Sequence, residues 1–103
     1  MGQLDLANPQ VVRIVEACKK LGLEPESPIS FPDCVTHVGL RKQKIAFYLR
    51  KAIEYSLFTR EYKKWKAHGW EMLRTSYRQL EMLTDEQVVE HLRGALREMK
   101  VAK

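Results

Sequence analysis

Apolar residues recur at helical spacing in several stretches of the chain. Val11, Val12, Ile14, Val15, Cys18 and Leu21 form one stripe, with Arg13, Glu16, Lys19 and Lys20 facing mostly the other way. Asn8 is a good N-cap before it. Pro9 suits the first helical position, where its missing N–H would have no partner anyway. Gly22 closes the segment as a C-terminal cap, and Leu23 adds the apolar contact that accompanies such caps. The pattern predicts an amphipathic helix over residues 9–21.

Residues 22–40 read as a proline-containing loop. Pro25, Pro28 and Pro32 each remove a backbone donor and bias the preceding residue toward extended conformations. Ile29 and Phe31 alternate around Ser30 as two apolar anchors. From Leu40 onward helical spacing returns: Ile45, Tyr48, Leu49, Ala52, Ile53 and Ser56 form a stripe, and Tyr55 and Tyr62 extend the edge that holds Tyr48 at seven-residue intervals. Lys63, Lys64, Lys66 and His68 before Gly69 resemble a helix C-terminus. Leu73, Tyr77 and Leu80 continue an apolar face, and Thr84-Asp85-Glu86-Gln87 is a capping box ahead of Val88, Val89, Leu92, Ala95, Leu96 and Met99. The expected fold is therefore all-α: a small, mostly antiparallel bundle of about four helices over residues 9–21, 41–58, 60–83 and 85–99, with Thr59 and Gly69 as candidate breaks. A competing pattern makes residues 34–38 and 43–49 a β-hairpin, because Ile45, Phe47 and Leu49 alternate.

Length and composition bound the class. At 103 residues the chain is one domain, and 45% hydrophobic with 30% charged residues is the balance of a folded protein. No apolar run approaches the ~20 residues that span a bilayer. The first residues lack the basic start and apolar core of a signal peptide, so a cytoplasmic location is expected. Two cysteines, Cys18 and Cys34, are expected to stay reduced, with a disulfide as the minor alternative. A single Asn among many Glu and Lys leans toward a thermophilic source.

Charge changes the picture most. The chain carries a formal +5, and the excess is concentrated: residues 1–40 sum to −2, residues 41–66 to +7, and the remainder to zero. Eight of the nine aromatic residues (Phe47, Tyr48, Tyr55, Phe58, Tyr62, Trp65, Trp70 and Tyr77) lie in or beside that basic stretch. Cations displace counterions from phosphates and exposed rings stack on unpaired bases, so the combination suits nucleic acid. Arg41, Lys42, Lys44, Arg50, Lys51, Lys63, Lys64 and Lys66 are the candidate phosphate contacts, and Tyr62, Trp65 and Trp70 the candidate stacking rings. Against this, aromatic residues at helical spacing commonly form core, and a basic face is often only solvated surface.

Catalytic chemistry is thin. Cys34-x-x-His37 is half of a metal site, with Cys18, His68 and His91 at no familiar ligand spacing, and a buried Cys beside a loop His is the favoured reading. The same pair does not establish a thiolate nucleophile and its base. Asp85 and Glu86 are accounted for by the helix start, Glu54 and Glu61 moderate the basic face, and the five glycines form no phosphate loop. No catalytic residue, cofactor or metal is expected.

Residues 8–24 (NPQVVRIVEACKKLGLE) resemble the first helix of the small RNA-binding subunit of archaeal signal recognition particles, and Phe31-Pro32 lies near where that family has Tyr-Pro. The likeness covers under a fifth of the chain, and the Arg and Trp residues that follow in that family have no counterpart after Pro32. The basic, aromatic stretch over 41–66, and not this short likeness, points to a binding module with RNA or a ribonucleoprotein as the first partner class. A protein-interaction subunit or homo-oligomer, assembled through the aromatic stripe from Tyr48 to Tyr77, is the alternative.

Overall fold

Five consecutive residues, Ile45 to Leu49, are buried, and this run decides the architecture. A helix exposes one side to water, whereas a central strand covered on both faces is apolar throughout. Ile45, Phe47 and Leu49 enter one core and Ala46 and Tyr48 another, an alternation that only an extended chain produces. The computed structural model describes residues 5–51 and 54–101. In order, its elements are α1 (Pro9–Lys20), β1 (Pro25–Glu26), β2 (Ile29–Phe31), β3 (Cys34–Thr36), β4 (Val38–Leu40), β5 (Ile45–Arg50), α2 (Tyr55–Ala67), β6 (Glu71–Ser76), α3 (Tyr77–Glu81) and α4 (Asp85–Val101).

The expected all-α bundle is therefore wrong; the protein is mixed α/β. The helix expected over 41–58 is a turn and strand β5 up to Arg50, with α2 beginning only at Tyr55. The helix expected over 60–83 is the end of α2, strand β6 and the short α3. Ala52 and Ile53, two members of the proposed helical stripe, lie outside the described residues. Residues 22–40, read as loop, hold four short strands.

The main sheet has the order β1-β4-β5-β6. β4 is antiparallel to both β1 and β5, with Val38 opposite Phe47 and Leu40 opposite Ile45. β6 runs parallel to β5, Ile45 opposite Glu71 through Arg50 opposite Ser76, and α2 makes the crossover that a parallel pair requires. β2 and β3 form a separate antiparallel ribbon. It lies directly on β4: a Cβ at Gly39 would sit 2.5 Å from Ile29 Cγ2, so only glycine admits this approach.

Three layers result. On one face, α1, α3 and α4 bury Val11, Ile14, Cys18, Leu80, Val88 and Leu92 against Phe47, Leu49 and Leu73. On the other, α2 and the ribbon bury Trp65, Trp70, Cys34 and Ile29 against Ala46, Tyr48 and Met72. Local signals set the helix ends. Asn8 accepts a bond from the Gln10 amide, and the Thr84–Gln87 capping box closes in both directions at 2.8 and 3.1 Å. Gly69, at φ +84°, ends α2 with the Trp70 amide donating back to the Trp65 carbonyl. Arg13 ties the helices of the first layer to one another, donating to Asp85 and Gln10 side chains and to the Leu80 and Leu83 carbonyls.

Candidate functional site

Strand β5 divides the basic stretch. Arg41, Lys42 and Lys44 sit in the turn before it, while Arg50 and Lys51 sit at its far end. Six residues of extended chain separate Lys44 from Arg50 by about 20 Å. The first group is largely matched by acids from β1 and its approach. Arg41 makes a two-pronged bond to Glu26, Nε and Nη2 each at 2.8 Å from a carboxylate oxygen, and Lys42 lies 3.0 Å from Glu24. The bond from Arg41 holds the Glu26 carboxyl below its usual range. On α2, Lys64 meets Glu61 at 3.5 Å and Lys66 pairs with Glu71.

At the carboxyl ends of β5 and β6 the charges stand differently. Arg50 and Arg74 have no carboxylate partner among the described residues; each guanidinium lies over aromatic rings instead. Arg50 is 4.4 Å from the centre of the Tyr48 ring, and Arg74 is 5.0 Å from Tyr55 and 5.1 Å from Phe58. Phe58 meets Tyr48 edge-on at 5.3 Å, so the two cations and three rings form one connected patch. The register explains it: Tyr48 lies opposite Arg74 and Arg50 opposite Ser76, putting these side chains on the α2 face, where the first turns of α2 bring Tyr55 and Phe58. A guanidinium over a ring keeps N–H donors available to an oxyanion; Arg50 spends Nη1 on the Leu49 carbonyl at 2.8 Å and keeps the others. Tyr55 is 65% exposed and carries the accessible ring. Lys51, Arg60 and Lys63 are exposed beside this patch or farther along α2, and no carboxylate pairs with them among the described residues.

The structure separates the sequence-derived residues into three groups. Arg50, Lys51 and Lys63 remain as exposed or half-exposed cations without an acid partner. Arg41, Lys42 and Lys66 are exposed and Lys64 half-buried, all four ion-paired, and Lys44 stands apart at the opposite end of the sheet. The stacking rings are corrected: Trp65 is 0% and Trp70 4% exposed, both inside the second core, and Tyr62 is half-buried with its hydroxyl donating to Glu71 at 3.1 Å. Neither tryptophan can accept a base, because protein already covers both faces. The same burial, together with Tyr48 at 2%, takes three rings out of the aromatic stripe proposed as a protein interface, while Phe58, Tyr62 and Tyr77 are half-buried and Tyr55 is exposed. Arg60, Arg74 and Tyr55 were missed as site residues. Arg74 is the exposed position between buried Leu73 and Thr75, a signal visible only once 71–76 is known to be a strand.

Cys34 and His37 do not meet as a pair. Cys34 packs under Asp33 and His68, and burial pushes its thiol up to about 11. Cys18, pushed up to about 12 by burial, lies in the other core, and both cysteines are reduced. His37 is buried near the end of β5. Its Nδ1 has no partner in the protein, and its Nε2 lies 3.4 Å from the Tyr77 hydroxyl.

Burial, reinforced by the Arg50 charge, holds the His37 pKa below the ordinary 6.5. The unfolded chain therefore takes up a proton at His37 that the folded chain resists. The contribution of the neutral ring is full above about pH 6.5 and is lost as pH falls toward the depressed value. Urea midpoints should drop between about pH 7.5 and about pH 5.5, and His37→Gln should flatten that drop. An identical pH profile in the variant would place the effect elsewhere.

No known protein family, curated protein or solved structure matches this chain. Among the described residues no helix is long and apolar enough to cross a membrane.

Proposed function

We propose that the protein is a nucleic-acid-binding module whose contact surface is the cation–aromatic patch at the carboxyl ends of β5 and β6 and along α2. Arg50, Lys51, Arg60, Lys63 and Arg74 contact phosphates, and Tyr55 supplies the ring for an unpaired base. The observation that carries this reading is the pairing of Arg50 and Arg74 with rings in place of carboxylates, beside an exposed tyrosine. Elsewhere Arg41, Lys42, Lys64 and Lys66 are matched by acids. The patch lies at the carboxyl ends of a parallel strand pair joined by a helical crossover, the end of α/β sheets at which ligands commonly bind. Here β5 has an antiparallel neighbour on one side and a parallel one on the other.

A stacking ring with a short track of cations favours single strands over duplex, because only unpaired bases expose their faces. The test is a fluorescence-anisotropy titration of short single-stranded and duplex RNA and DNA at two salt concentrations. The expected result is binding that prefers single strands and weakens steeply with salt. Absence of binding at the lower salt would overturn the proposal.

A further inference from the structure

Three metal-ligating side chains converge where the tip of the β2–β3 ribbon meets the end of α2. Asp33 Oδ1 lies 2.8 Å from His68 Nε2, and the ligand atoms of Asp33, Cys34 and His68 all fall within 4.8 Å of one another. We propose that this cluster is a binding site for a zinc ion, held by the Cys34 thiolate, a His68 ring nitrogen and an Asp33 carboxylate oxygen. Sequence spacing suggests Cys34 with His37, but the fold pairs Cys34 with a histidine 34 residues away instead.

The donor set fits zinc. One thiolate, one imidazole and one carboxylate are the ligand types that this borderline-soft ion takes, and three protein ligands leave a fourth position for water. Zinc bond lengths to sulfur, nitrogen and oxygen imply ligand–ligand separations of about 3.4–3.6 Å in a tetrahedron. The Asp33–His68 contact must open by roughly 0.6 Å to reach that range, and the widest separations must close by roughly 1 Å, changes within reach of side-chain rotation. On binding, the Cys34 S–H bond breaks, its proton goes to solvent, and the sulfur electron pair forms the bond to the metal. The Nε2 proton that His68 shares with Asp33 passes to solvent while Nδ1 takes one up, so the ring changes tautomer and the hydrogen bond between Asp33 and His68 is exchanged for two metal bonds.

The site is also held in place before any ion arrives. The His68 ring stacks on Phe31 at 4.0 Å with the planes 5° apart. Phe31 is itself fixed edge-on against Trp65 at 5.5 Å and Trp70 at 5.6 Å. The His68 backbone N–H donates to the Trp65 carbonyl at the end of α2. Cys34 is anchored in the same core. A ligand set whose orientation is fixed by packing has less to lose on binding, and the ion would clip the ribbon to the helix. This proposal does not depend on the nucleic-acid reading.

Cobalt(II) is the probe, because a cobalt–thiolate bond gives a charge-transfer absorption band that carboxylate and imidazole alone do not. Tag-free, fully reduced protein titrated with cobalt should develop this band to saturation at one equivalent, and zinc should displace the cobalt and raise the melting temperature. Cys18→Ala should keep the band and Cys34→Ser should lose it. Should Cys34→Ser fail to fold, His68→Gln decides, since His68 lies at the surface: it should weaken cobalt at least tenfold while the metal-free circular dichroism stays unchanged. No charge-transfer band at saturating cobalt, a band abolished by Cys18→Ala, or unchanged affinity in His68→Gln would each overturn the site.

Discussion

Trp65→Ala should lower the unfolding free energy by about 3–5 kcal/mol, enough to leave much of a domain this size unfolded at ambient temperature. Trp65 is the largest fully buried side chain in the protein. It touches Trp70 at 5.2 Å and Phe31 at 5.5 Å, and it belongs to the core that joins α2 and the ribbon to the sheet. Truncation to a methyl group removes the contacts and leaves a cavity that rigid strands on one side cannot close. The indole N–H has no partner in the protein, so part of the tryptophan's packing gain is already offset by an unpaired donor. Trp65→Phe, which deletes that donor while keeping a ring, should therefore stay much closer to the parent. Urea titrations give the comparison: lower midpoints with unchanged slopes for alanine, and only a small shift for phenylalanine. An alanine variant within about 1 kcal/mol of the parent would put the ring at the surface, where it would be available for stacking after all.

The same residue shows where sequence reading stops. Aromatic rings at helical spacing have two destinations, core or surface, and periodicity alone does not choose between them. The helix ends were legible because their signals are local: Asn8-Pro9 opens α1, Thr84 and Gln87 open α4, and Gly69 takes the left-handed conformation that terminates α2. Strand β5 was not, for a specific reason. Ile45, Tyr48, Leu49 and Ala52 fit the spacing of a helix face, and a strand buried on both sides shows no polar alternation to contradict it. Its true alternation separates residues by which core they enter, not by polarity. The minor hairpin reading contained the right feature, Ile45-Phe47-Leu49, but the turn lies at Arg41–Lys44 and β4 pairs with β5 only from Val38 onward. Once β5 is extended, the basic stretch ceases to be one face. Arg50 then acquires Arg74 as a neighbour across a parallel pairing between segments 26 residues apart, a relationship that no local pattern encodes.

Arg50→Ala with Arg74→Ala should reduce affinity for a single-stranded oligonucleotide by about tenfold to a hundredfold at low salt, while Arg41→Ala with Lys42→Ala should change it less than about twofold. Both double variants lower the net charge by two, so a diffuse attraction to the positive chain would treat them alike. The local environments differ. Glu26 and Glu24 already answer Arg41 and Lys42, so a phosphate would have to compete with bonds of 2.8 and 3.0 Å, and alanine there also frees two acids. Arg50 and Arg74 rest on rings that leave their charge unneutralised. Loss of two phosphate contacts should also lower the slope of log affinity against log salt by about 1.4 for a single strand, a readout that a purely structural defect would not produce. Arg74→Lys separates charge from shape: an ammonium preserves the charge but not the planar fork of donors held between Tyr55 and Phe58, so a partial loss locates the requirement in the guanidinium. Equal losses in the two double variants would instead make the attraction a property of the overall charge, and the patch at the ends of β5 and β6 would have no special claim to the ligand.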